Sequence, residues 1–125
     1  MTINQFLDTS YTAFHTVANA EAMLAEHGFT KLTLGKDFAI KRGGRYYVTR
    51  NDSGIIAFVA GQNNVFNIVE SHTDSPSFKV KGNSVTEGNG VVRVNTEKYG
   101  GGLLYTYFDR PMKIAGRLLC QTENG

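Results

Sequence analysis

Along the first third of the chain, apolar residues recur at the spacing of one helix face. Ala13, Val17, Ala20 and Leu24 form the stripe, and Phe14 and Ala18 widen it. Thr9 or Ser10 is placed to cap the start of this helix. Gly28, just after His27, is placed to stop it, with the histidine near the negative end of the helix dipole. After Gly28 the pattern shortens to that of strands. Residues 37–41 and 46–49 flank Arg42-Gly43-Gly44-Arg45 and predict a hairpin, because a Gly-Gly pair supplies the positive φ angles of a tight turn. Asn51-Asp52-Ser53-Gly54 reads as a second turn before the apolar run 55–60. Gly61-Gln62-Asn63-Asn64 reads as a third, before a strand over 65–69. An antiparallel meander packed against the helix is the economical arrangement.

The predicted strand 65–69 is apolar enough for the inside of a sheet, and it runs straight into Glu70-Ser71-His72-Thr73-Asp74. Ionisable residues at the end of a buried strand are a common place for a functional site. Residues 77–81 and 91–94 read as further strands around the turn Glu87-Gly88-Asn89-Gly90. The aromatic and glycine-rich stretch 99–111 then leads to one more strand over 114–119. The chain reaches Gly125 in what reads as mid-architecture.

Composition narrows the function classes. With 125 residues, 41% hydrophobic and 19% charged, the chain has the make-up of a folded domain of modest core. The net charge of +2 is weak and its basic residues are scattered, so neither nucleic acid nor a membrane surface is an expected partner. Cys120 is the single cysteine, which rules out an internal disulfide and suits a reducing compartment. The N-terminal stretch lacks a basic region followed by an apolar one, and no run approaches the ~20 apolar residues that cross a bilayer. A soluble, cytoplasmic protein is the expectation.

His72-Thr73-Asp74 carries the best local chemistry. In an extended segment, alternate residues face one side, so His72 and Asp74 are expected to project together. A neutral imidazole is a good zinc ligand, and a carboxylate behind it can hold the ring in one tautomer. Pro76 stiffens the segment and favours an extended Ser75. On spacing alone, such a pair is more often a hydrogen-bonded surface feature than a metal site.

The surrounding motifs change that balance. The segment from Val69 through His72-Thr73-Asp74-Ser75-Pro76 to Lys81 resembles the one bearing the first zinc ligand in aspartyl aminopeptidases. Tyr99-Gly-Gly-Gly-Leu-Leu-Tyr-Thr-Tyr-Phe-Asp-Arg110 and Ile114-Ala-Gly-Arg117 resemble a second hallmark of that family, in the same order. Phe14-His15 and the helix closing at Gly28-Phe29 are similar to its N-terminus.

The resemblance implies a mixed α/β fold, with N-terminal helices packed on a largely antiparallel sheet, as part of a zinc-exopeptidase catalytic domain. Residues 1–95 would open the catalytic domain, and residues 96–125 would begin an inserted dimerisation domain. His72 would bind one zinc of a two-zinc centre, and Asp74 would be the catalytic carboxylate that supports it. The implied reaction removes an N-terminal, classically acidic, residue from a peptide, within a homo-oligomer. The family's other ligands and its glutamate base lie beyond Gly125, so this chain alone is expected to be inactive.

The other candidates have simpler explanations. His15 lies within a helix and His27 at its end, which suits structural or surface roles. Ser75 beside His72 and Asp74 is not a hydrolase triad, since neighbours on a strand face opposite ways and no nucleophile elbow surrounds it. Gly100-Gly101-Gly102 lacks the Lys-Ser/Thr ending of a phosphate loop and suits a hinge or close packing. Tyr105, Tyr107 and Phe108 suit packing or an interface, Asp109 and Arg110 a turn or surface ion pair, and Cys120 a buried small residue. Two rival readings remain: a non-catalytic folded fragment that self-associates or binds a partner, and a small β-rich binding protein.

Overall fold

The computed structural model describes residues 1–63 and 65–122. The chain forms two compact units, one of Met1–Asp74 with Ala115–Gly125 and one of Ser75–Ile114. The chain is mixed α/β with largely antiparallel strands, as the sequence implies; both helices lie in the first unit, and the second is built on an antiparallel hairpin.

The first unit opens with α1, Ile3–Thr9, and α2, Ala13–Glu26. Thr2 starts α1 through a reciprocal capping box. Its backbone N–H donates to Gln5 Oε1 at 2.8 Å, and its hydroxyl accepts from Gln5 N at 3.3 Å. Thr12, not Thr9 or Ser10, is the residue before α2. The two earlier hydroxyls instead accept from Asn19 Nδ2 at 2.9 and 3.1 Å, which ties the bend between the helices to α2.

Gly28 ends α2 as expected. It sits at φ +76°, and the bonds from Gly28 N to Ala25 O (3.0 Å) and from Phe29 N to Leu24 O (2.9 Å) make a Schellman cap. Arg45 adds a link from the sheet. Its guanidinium donates to the His27 carbonyl at 3.1 Å, where a cation also complements the helix dipole, and lies 5.9 Å from the centre of the Phe29 ring.

Three strands follow: β1, Thr30–Lys31; β2, Arg45–Arg50; and β3, Gly54–Val59. Their order is β1-β2-β3, with β1 parallel and β3 antiparallel to the central β2. Tyr46 and Tyr47, on opposite faces of β2, are 8% and 6% exposed, and Val17 of α2 is 1% exposed. These are the buried apolar residues among those described. Tyr46 pairs across the strands with Phe58, ring centres 5.7 Å apart. Asn51 and Asp52 connect β2 to β3 at φ +52° and +54°, as the central residues of a type I′ turn require.

The second unit is led by a long hairpin, β4 (Ser77–Gly88) with β5 (Val91–Tyr99). Its two-residue connection is Asn89-Gly90, both at positive φ, which is the strongest short hairpin signal a sequence carries. A bulge lies between Val80 and Val85 and holds the buried Ser84. The glycine run after β5 serves close packing. Gly100 turns at φ +75°, and a Cβ on Gly102 would lie 3.1 Å from Pro76. In the short 3-10 turn Leu104–Tyr107, the Tyr107 hydroxyl donates to Pro76 O at 2.6 Å, and its ring meets Phe78 edge-on at 5.2 Å.

Three predicted strands are not strands in this fold. The predicted turn forms at Arg42-Gly43, with Gly43 at φ +76° and Gly44 N donating to Lys41 O at 2.9 Å, but residues 37–41 before it are irregular. Gly43 and Gly44 instead extend the β2–β3 ladder, through Gly43 N to Ala60 O and Ala60 N to Gly44 O at 2.9 Å for the latter. Residues 65–69 and 114–119 are also irregular and exposed, Val69 reaching 98%. An apolar run becomes a strand only when another strand offers its N–H and C=O groups, and among the described residues none does so for these runs. Asn64, in the third predicted turn, lies outside the described residues. Cys120 is exposed rather than buried.

A Cβ at Gly44 would overlap the ring and hydroxyl of buried Tyr46. Gly44→Ala is therefore expected to cost about 1–3 kcal/mol in urea unfolding, the usual range for overpacking. Gly82→Ala meets open space and should stay within about 0.5 kcal/mol of the parent. A second expectation concerns the ion pair between Lys31 of β1 and Glu21 of α2. The hydrogen bond to Glu21 holds the Lys31 ammonium above its ordinary pKa, against a small desolvation effect. The pair then stabilises the fold below the ordinary lysine pKa, and its contribution is lost as pH rises through the raised value. Half-exposed, it is worth less than about 1 kcal/mol. The stability difference between the parent and Glu21→Gln should vanish at strongly alkaline pH.

Candidate functional site

His72 and Asp74 lie in the irregular segment that follows β3, not at the end of a strand. The backbone bends at Thr73 and Asp74, and this bend brings the two side chains together. Asp74 Oδ1 lies 2.8 Å from His72 Nδ1, and the Asp74 backbone carbonyl lies 3.0 Å from the same nitrogen. Carboxylate and carbonyl oxygens only accept, so Nδ1 carries the proton and donates to both. The lone pair of the neutral ring is then on Nε2. The His72 side chain is 74% exposed and that of Asp74 only 23%, so the carboxylate is the sheltered, fixed partner and the imidazole edge faces outward.

The donor set suits one metal ligand. An imidazole whose far nitrogen is held by a carboxylate is the usual arrangement of a zinc-binding histidine. A whole centre needs three or four protein ligands, and no group of three or more His, Cys, Asp or Glu side chains comes together among the described residues. The other two histidines are engaged locally. His15 Nδ1 meets Thr12 Oγ1 at 2.8 Å, with Tyr11 edge-on to its ring, and His27 Nδ1 meets the Met23 carbonyl at 2.7 Å.

His72 and Asp74 thus form a hydrogen-bonded His-x-Asp pair whose free imidazole edge is exposed. Residues 6–125 match the family described as aminopeptidase I zinc metalloprotease (M18), and the chain belongs to that family. A protein named probable M18 family aminopeptidase 2, from Clostridium novyi (strain NT), is 42% identical over 129 residues, which cover 97% of this chain and 30% of the relative. Aspartyl aminopeptidase 1 of Schizosaccharomyces pombe is 40% identical over 126 residues, covering 96% of this chain and 27% of the relative. The solved structure of the S. cerevesiae mApe1 dodecamer has a similar fold, with a TM-score of 0.68 and 28% identity over 86% of this chain and 27% of that one. The chain thus spans less than a third of the relatives it matches.

Removing the carboxylate tests what holds the ring. In Asp74→Ala the His72 Nδ1–H keeps only the backbone carbonyl, and ring nitrogen NMR shifts should move from one tautomer toward a mixture. Unchanged shifts would mean that the carbonyl alone sets the tautomer.

Proposed function

We propose that this chain is the N-terminal part of a zinc-dependent aminopeptidase that removes an N-terminal, acidic residue from peptides. The observation that carries this reading is the family match over residues 6–125, which includes both His72 and Asp74. The exposed Nε2 edge of His72 is the ligand this chain offers to one zinc of a two-zinc centre. Asp74 fixes the tautomer and turns the lone pair outward. When bound, the metal pair supplies Lewis-acid polarisation of the scissile carbonyl and acidifies a water. One imidazole does not hold zinc tightly, and the family's remaining ligands and glutamate base lie beyond the matched segment. The 125 residues alone are therefore inactive.

In the same reading, residues 1–95 open the catalytic domain and residues 96–125 lead into a dimerisation domain. Assembly into a homo-oligomer is supported by the dodecameric state of the similar yeast protein. The single cysteine supports a reducing, cytoplasmic setting.

A chimera tests the reading. This chain replaces the matched part of the Clostridium novyi relative, and activity on peptides with N-terminal Asp or Glu is measured with metal content and native mass. The expected result is an active, zinc-loaded oligomer that loses metal and turnover on His72→Ala. An active chimera indifferent to His72→Ala would sink the assignment of the ligand. Turnover by the isolated 125-residue chain would overturn its predicted inactivity. A folded chimera without metal or activity would favour a binding or self-association module instead.

A further inference from the structure

The Ile114-Ala115-Gly116-Arg117 motif has no part in the chemistry above, yet its arginine reaches both α2 and the β2–β3 turn. The first unit consists of two stretches of chain separated by residues 75–114, and its second stretch must return across that excursion. Closing so long a loop costs entropy, and residues 115–122 form no helix or strand to offset it.

Arg117 makes three contacts with the rest of its unit. Its guanidinium lies 4.2 Å from the centre of the Phe14 ring, in the first turn of α2. Nη1 donates to the Asn51 carbonyl at 3.2 Å and lies 3.7 Å from Asp52 Oδ2. Asn51 and Asp52 are the left-handed residues of the β2–β3 turn, so that turn presents the carbonyl and carboxylate to the same cation. Only a planar guanidinium can stack on a ring and donate in its own plane at once, which an ammonium cannot do.

We propose that Arg117 is a latch, a positioning residue that pins the returning segment 115–122 against α2 and the β2–β3 turn. Phe14 is its stacking platform, and the Asn51-Asp52 turn is its keeper. This inference does not depend on the aminopeptidase reading.

Cys120, three residues further on, is exposed and is the single cysteine, so a nitroxide spin label placed there reports the mobility of the segment. In the labelled 125-residue chain, Arg117→Lys keeps the charge and removes the planar stack. The mobile-to-immobile ratio in the spectrum should rise about two- to fivefold, the equivalent of a cation–π contact of about 0.5–1 kcal/mol at 1.4 kcal/mol per factor of ten. Phe14→Leu should raise it comparably, and the double variant should go little further, because both changes remove one contact. Should Phe14→Leu lower the helical circular dichroism, Asp52→Gly takes its place in the cycle, since glycine keeps the left-handed turn. An unchanged ratio in Arg117→Lys overturns the latch, as do effects that simply add in the double variant.

Discussion

The central strand β2 carries the first unit, because both of its faces are closed by adjacent tyrosines. Tyr46 and Tyr47 point to opposite sides of one strand, and both are nearly excluded from water. A shift of one residue in register would exchange their faces and break the Tyr46–Phe58 ring pair, so their burial pins the ladder to β3. It also dictates what may stand nearby. Gly44 has no side chain because the Tyr46 ring occupies that space, and the Tyr46 hydroxyl accepts the Lys41 backbone N–H at 3.0 Å. With so few apolar side chains buried, this small core depends on polar links at its margins. Arg45 reaches the end of α2, and Lys31 pairs with Glu21.

The second unit is organised differently, by backbone chemistry more than by burial. Directly paired residues share a face, so Phe78, Val80, Val85, Val92 and Val94 lie on one side of the hairpin. Lys79 faces Glu97 on the other side. Most of that apolar side is open, and a two-stranded ribbon is marginal in water without a covering layer. What order it has comes from the Asn89-Gly90 turn and from the packing of Tyr107 on Pro76 and Phe78.

The candidate site shows how local and non-local causes divide. That His72 and Asp74 would meet was legible from their spacing, but the expected reason was alternation along a strand. In the fold, a bend at Thr73 and Asp74 makes the contact, and the backbone carbonyl of Asp74 joins the carboxylate on one ring nitrogen. The residue types fixed the chemistry available to the pair; the bend decided which nitrogen is held and which is presented. Nothing in the local text announced the partnership of Arg117 with Phe14, since those residues are distant in sequence and meet only when the excursion of residues 75–114 has closed.

By itself, the sequence determined the features that a few neighbouring residues settle. These are the stop of α2 at Gly28, the left-handed turns at Asn51-Asp52 and Asn89-Gly90, the close-packing glycines near Pro76, and the motifs that mark the family. Each rests on intrinsic φ preference or on side chains within reach of their own backbone. Tertiary structure alone decided which apolar runs became strands. The runs 55–59 and 65–69 look equally suited to a sheet, yet only the first is paired, because a strand is defined by hydrogen bonds to a partner and not by its own composition.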